Sequence, residues 1–302
     1  MADPHFFDVI IIGGSYSGLS AAMALGRSLR SVLVIDGGQP CNRQTPRSHN
    51  FITQDGETPA AIAQKAKAQV AGYDTVEFMD GFAAGARKTG DGFVVTLQTG
   101  EERKAKKLVL ATGIKDTMPD IQGFAECWGI SVIHCPYCHG YEFRHRKTGI
   151  LAEGERAFHL ASLVNNLTDK ITVLTSGGAA FNADQAERLR RHRIQIVETG
   201  VSAMEHENGY LSRVVFADGS RADFDAVYAA VPFTQHSDIP VQLGCAFTEQ
   251  GYIRVDDFQQ TTVKGVFACG DNSAMMRSVA RAVYSGNLAG AMANKELTDE
   301  RF

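Results

Sequence analysis

A glycine-rich turn set between an apolar run and a helix-forming stretch constrains this chain more than any other feature. Residues 8–12 (DVIII) form a short β-branched run, and 13–18 (GGSYSG) follow. Small and helix-forming residues continue to Ser28, and a second β-branched run occupies 31–36 (SVLVID). Strand, glycines, helix, strand is the βαβ unit of a doubly wound parallel sheet. In that setting Gly13 serves the tight turn and Ser15 is small enough for backbone to approach a pyrophosphate. Gly18 allows close packing of helix on strand. The helix start offers unpaired N–H groups and the positive end of a dipole to phosphates. Asp36, ending the second strand, can accept hydrogen bonds from ribose hydroxyls. Taken alone, the pattern also fits an ordinary tight turn with a strand-terminal aspartate.

A second unit of the same kind lies further on, with a strand at 148–152, a helix at about 155–167 and a strand at 170–175. Helical composition at 59–72 and strand-like runs at 93–98, 105–111, 195–198, 211–216 and 226–231 fill the space around these two units. A last buried run, 265–269 (GVFAC), leads through Gly270-Asp271 into a long helix at about 278–295. The fold class expected is α/β, with two Rossmann-like dinucleotide-binding domains. A length of 302 residues suits two ordinary domains. A net charge of −4 gives no electrostatic footprint for nucleic acid or an anionic membrane surface. Arg188, Arg190, Arg191 and Arg193 read as the solvated face of a helix. No segment approaches the ~20 apolar residues of a membrane helix. The early first strand leaves no room for a signal peptide, so a reducing cytoplasm is the compartment expected.

Six cysteines do not make a disulfide scaffold in a chain of this length. Two of them stand in the stretch 134–140, His134-Cys135-Pro136-Tyr137-Cys138-His139-Gly140. Two intervening residues allow a disulfide within one tight turn, and such thiols commonly titrate near ~7 rather than ~8.5. A neighbouring histidine stabilises a thiolate when charged or moves a proton when neutral. A zinc half-site would want a second pair, and Cys41, Cys127, Cys245 and Cys269 are scattered singly. These four read as core residues. An inert, buried pair at Cys135 and Cys138 is the other reading, against which the proline and flanking histidines argue.

Together these residues resemble the low-molecular-weight thioredoxin reductase family, class II of the pyridine nucleotide-disulfide oxidoreductases. The matching stretches run in order along nearly the whole chain: 13–18, Asp36, 111–113 (ATG), Cys135–Cys138, and 265–271 (GVFACGD) with its following helix. The resemblance implies FAD held by a domain split in sequence, 1–117 and 244–302. A pyridine-nucleotide-type domain, 118–243, is inserted and carries the cysteine pair. It implies a homodimer and a partner that is a thioredoxin-like protein or a small-molecule dithiol or disulfide. It carries cofactor contacts onto Gly13, Ser15, Gly18, Asp36, Asn50, Ala111, Thr112, Gly113, Gly270 and Asp271. Cys138 becomes the flavin-facing thiol and Cys135 the thiol that exchanges with substrate. The stretch 135–142 (CPYCHGYE) looks like a branch that includes dithiol oxidases of disulfide-containing natural products.

Three departures stand out. His139 takes the place of the family's acid after the second cysteine and becomes the expected proton shuttle, with Glu142 as the alternative. His49, next to Asn50, is a second candidate base. The second glycine turn reads Ala152-Glu153-Gly154-Glu155-Arg156-Ala157, where carboxylates repel a pyrophosphate. The strand after it ends at 175–178 (TSGG) without a cation for the 2′-phosphate of NADPH and without an acid that would favour NADH.

Overall fold

The computed structural model describes residues 6–302, so residues 1–5 of the expected first segment lie outside the described residues. The described chain forms two compact units. The first comprises the chain up to Arg43, then Glu57–Lys115 and Phe233–Phe302. The second comprises Gln44–Gly56 and Asp116–Pro232.

The first unit is built on a seven-stranded sheet. Strand Phe6–Ile12 pairs in parallel with Val32–Asp36 on one side and Glu102–Leu110 on the other. Val76–Asp80 lies outside Val32–Asp36, and Val266–Ala268 pairs in parallel with Glu102–Leu110. Gly92–Leu97 and Ala83–Thr89 add antiparallel strands. The β-branched run Val9-Ile10-Ile11 is fully buried, as a parallel strand covered on both faces requires. Alternate residues face different layers. Ile10, Leu33, Leu108 and Leu110 pack with Phe93, Val95 and Leu97. Val9, Ile11, Val32, Val34 and Val109 pack with Leu19, Ala22 and Leu25 of helix Tyr16–Arg27 and with Ala289, Ala293 and Leu297 of helix Val279–Asp299. The two helices meet along glycines: a Cβ on Gly286 would stand 2.0 Å from the Ser17 carbonyl oxygen, and one on Gly290 2.5 Å from that of Ala21.

The second unit repeats the plan. Its parallel sheet runs Gln195–Val197, Ile171–Leu174, Thr148–Leu151, Ala226–Ala229 and Val132–Ile133. Helix Gly154–Val164 covers it through Ala157, Leu160, Ala161 and Val164. A separate antiparallel sheet of Val201–Glu207, Tyr210–Phe216 and Arg221–Asp223 carries a second core around Phe124, Trp128 and Met204. The chain is therefore a two-unit, Rossmann-like α/β protein with one unit inserted into the other.

The segment boundaries differ from those expected. The second crossing falls at Pro232/Phe233 rather than 243/244. The reason is packing: Ile239 is fully buried in the core of the first unit, and Gln242 Oε1 accepts a hydrogen bond from the Ala86 N–H at 3.0 Å. Residues Gln44–Gly56 belong with the second unit, where Gln44 Nε2 donates to the Trp128 carbonyl at 2.7 Å.

Candidate active site

In the first unit the glycine turn is sterically closed to side chains. Gly13 has φ +106°, and a Cβ there would lie 2.3 Å from the Ala111 carbonyl oxygen. A Cβ on Gly18 would lie 1.9 Å from the Gly13 oxygen. Ser15 caps the helix without a side-chain hydrogen bond to it. Asp36 accepts through Oδ1 from the Gly14 N–H at 3.1 Å, which fixes the turn against the second strand. Gly113 and Gly270 adopt φ of +65° and +85°, the left-handed region that a side chain disfavours. Asp271 lies 3.5 Å from Arg277 Nε and 3.5 Å from Cys41 Sγ.

Sequence reasoning stopped at Asp271 and missed Asn272. That side chain is fully buried and donates through Nδ2 to the Leu110 carbonyl at 2.8 Å and to Thr112 Oγ1 at 3.3 Å, leaving Oδ1 without a partner. An asparagine directly after 270–271 was the available signal. The residues fit FAD: a cradle that any Cβ would fill, a helix start open to phosphate and no acid within the turn itself. Cys41 departs from the expected core assignment. It sits on an exposed loop, while Cys127, Cys245 and Cys269 are buried. Although the residue is exposed by surface area, the atoms crowded round its sulfur, then the Asp271 charge, raise its thiol pKa, with Arg277 opposing.

In the second unit Cys135 and Cys138 form a disulfide, with Cα atoms 5.3 Å apart. Cys135 precedes the short helix Pro136–His139, and its carbonyl accepts from the N–H groups of Cys138 and His139 at 3.2 and 3.3 Å. Packing room behind this turn exists only because residue 140 is glycine. A Cβ there would meet the Pro136 oxygen at 2.3 Å and Leu167 Cδ1 at 2.4 Å. Both ring nitrogens of His139 are buried, with the Arg47 backbone as a polar neighbour. Burial lowers its pKa below 6.5 and outweighs Glu142 and the nearby Arg47 backbone, which favour the charged form; the His49 ring adds to the lowering. His49 bridges two carboxylates, Nδ1 at 3.6 Å from Asp55 and Nε2 at 3.5 Å from Glu142. Asn50 has φ +60°, and its N–H donates to Asp55 Oδ1 at 2.7 Å. His49 and Asn50 thus lie in the same unit as the cysteine pair. Tyr228, deeply buried, has its pKa raised by burial and then by the Glu142 charge.

The family model described as pyridine nucleotide-disulphide oxidoreductase matches residues 7–286. The chain belongs to that family. It is similar to the thioredoxin reductase tcpT of Claviceps purpurea, at 34% identity over 98% of this chain and 96% of that protein. It is similar to the thioredoxin reductase of Bacillus subtilis at 26% identity over 96% and 94% of the two chains. Among solved structures, an oxidoreductase from Agrobacterium tumefaciens superimposes with a TM-score of 0.91 at 36% identity, covering 97% of this chain and 99% of that one. A thioredoxin reductase TrxB from Bacillus anthracis gives 0.93 at 28% identity, covering 98% and 100%. The protein is accordingly a thioredoxin-reductase-like, FAD-dependent disulfide oxidoreductase. No helix among the described residues is long and apolar enough to cross a membrane.

Within this pyridine nucleotide-disulphide oxidoreductase, the second glycine turn differs from the first in its charges. Glu153 stands at the N-cap position of helix Gly154–Val164 without a side-chain hydrogen bond to it, and Gly154 has φ +52°. Glu155 Oε2 accepts from Gln185 Nε2. Gln185 is itself buried, its Oε1 taken by the Asn182 N–H in the capping box that starts helix Ala183–Arg191. Beyond strand Ile171–Leu174, the Ala179 N–H donates to Glu198 Oε1 at 3.1 Å. The arginines of the following helix are engaged: Arg190 with Glu187, and Arg188 with Asp184 and over the Phe158 ring.

Proposed function

We propose that the working bond of this enzyme is Cys135–Cys138, and that it exchanges electrons with a dithiol or disulfide substrate. The observation that carries the proposal is His139, an imidazole whose ring nitrogens are buried directly after Cys138. Burial holds the ring neutral, the state that takes a proton from an incoming thiol at neutral pH.

A substrate thiolate attacks Cys135 Sγ, a mixed disulfide forms, and Cys138 leaves as the thiolate. The second substrate thiol, its proton taken by His139, attacks the substrate sulfur of the mixed disulfide. Substrate disulfide departs and Cys135 leaves as a thiolate, so two electrons now reside on the cysteine pair. FAD, when bound at the first glycine turn, supplies the two-electron carrier with which Cys138 communicates. The same steps reversed reduce a disulfide. The substrate is a thioredoxin-like protein or a small-molecule dithiol, and the working assembly is a homodimer. A second reading, a dithiol oxidase with dioxygen as final acceptor, is favoured by the carboxylates at the second turn.

The test is anaerobic titration of the flavin-loaded protein with dithiothreitol, followed by visible absorbance. Bleaching in the wild type and none in Cys138→Ser supports the proposal. Equal bleaching in both would refute it. Oxygen uptake with peroxide release on adding dithiol alone separates the oxidase reading.

A further inference from the structure

The second glycine turn does not fit the pyrophosphate of a pyridine nucleotide. A nucleotide-binding turn presents free N–H groups and little negative charge to the phosphates. Here the helix start is flanked by Glu153 and Glu155, and the carboxylate of Glu155 is held by a buried glutamine that cannot swing away without breaking its own capping box. The loop after the next strand spends its Ala179 N–H on the Glu198 carboxylate, so a protein anion already sits where that loop would receive a ligand anion. Arg188 and Arg190 are committed to acids of their own helix, and Arg156, Arg191 and Arg193 are exposed.

We infer that Glu155 and Glu198, fixed by Gln185 and by the Ala179 N–H, exclude NADPH and NADH from this unit and so determine which electron partner the enzyme accepts. Glu155 and Glu198 are both exposed, each held in place by one hydrogen bond, and together they set a field of the phosphate's own sign at the turn, which water and salt attenuate without reversing. The inference deepens the reading above and rests on it only for the identity of the alternative electron source, the substrate dithiol.

The test has two arms on the flavin-loaded protein. In the first, NADPH and NADH at millimolar concentration leave the flavin of the wild type oxidised under anaerobic conditions, while dithiothreitol bleaches it. In the second, 2′,5′-ADP binding is measured by calorimetry. The charge-removing, shape-keeping double substitution Glu155→Gln with Glu198→Gln tightens it at least about tenfold. Wild-type affinity for the same ligand rises with added salt, opposite in sign to an attractive phosphate site, because salt screens repulsion. Bleaching of the wild type by micromolar NADPH or NADH overturns the inference. So does a double variant that binds no tighter, or a wild-type affinity that falls with salt. Failure of dithiothreitol to bleach sinks the thiol reading instead, and the binding arm still decides the role of the two glutamates.

Discussion

Gly286→Ala is expected to destabilise the protein although it places a better helix former inside helix Val279–Asp299. Propensity alone favours alanine by about 1 kcal/mol. Against this, the new Cβ would lie 2.0 Å from the Ser17 carbonyl oxygen and 2.7 Å from the Ser17 carbonyl carbon, where ordinary contact begins at 3.4 Å. Both neighbours are backbone of helix Tyr16–Arg27, so no side chain can rotate out of the way and the helices must part by more than an ångström. Overpacking of this kind costs about 1–3 kcal/mol, and contact with rigid backbone puts this case at the upper end. The net expectation is a loss of about 2 kcal/mol. Ser17 also faces Gly270, where a Cβ would lie 2.6 Å from its Oγ, and the Gly270 N–H donates to Ser285 Oγ at 3.0 Å. Spreading the helices therefore also weakens flavin retention. Urea denaturation followed by far-ultraviolet circular dichroism, with and without added FAD, measures both effects. A midpoint equal to or above that of the wild type, with full flavin content, refutes the steric argument.

Gly13→Ala meets both a positive φ and a backbone oxygen at 2.3 Å; it yields a folded second unit with no bound flavin, read from the visible spectrum of purified protein. His139 binds a proton less readily folded than unfolded, because burial lowers its pKa below 6.5. The unfolded chain thus takes up more protons as pH falls through that value, so stability rises with pH there and drops on acidification. His139→Gln removes that increment, checked by urea midpoints at pH 5 and 7.5; equal slopes in both proteins exclude the assignment. With its thiol pKa raised, Cys41 stays protonated at pH 8 and reacts with iodoacetamide far more slowly than an ordinary exposed cysteine, by mass spectrometry of the native protein; Asp271→Asn accelerates the reaction.

Both βαβ units were legible in the sequence because their strands are buried on two faces and so appear as unbroken, mostly β-branched runs, Val9-Ile10-Ile11 and Ile171-Thr172-Val173-Leu174. The edge strands were not. Ala83–Thr89 (AAGARKT) has almost none of the residues that mark a strand, and pairing with Gly92–Leu97 makes it one. Val201–Glu207 is half polar because one face of its small sheet meets water. The glycine turn and the cysteine pair were readable because steric and redox demands fall on residues close in sequence. Asn272, the Gly286 contact and the bridging of Asp55 and Glu142 by His49 were not, since each depends on a partner that only the tertiary fold brings near. The same holds for the Gln44–Gly56 segment, whose assignment turns on hydrogen bonds to residues far along the chain.

The strand Val266–Ala268 and the helix Val279–Asp299 complete a layer that begins at Phe6. A ribosome making this chain finishes the inserted unit, Asp116–Pro232, while the sheet and helix pair that cradle the first glycine turn still lack their C-terminal pieces. Vectorial synthesis therefore reverses the usual order in which the amino-terminal domain matures first. The unit that carries Cys135 and Cys138 has all its segments before the last strand and helix of the first unit are made. A nascent chain truncated before residue 266 would expose the apolar face of helix Tyr16–Arg27, which packs against Ala289, Ala293 and Leu297.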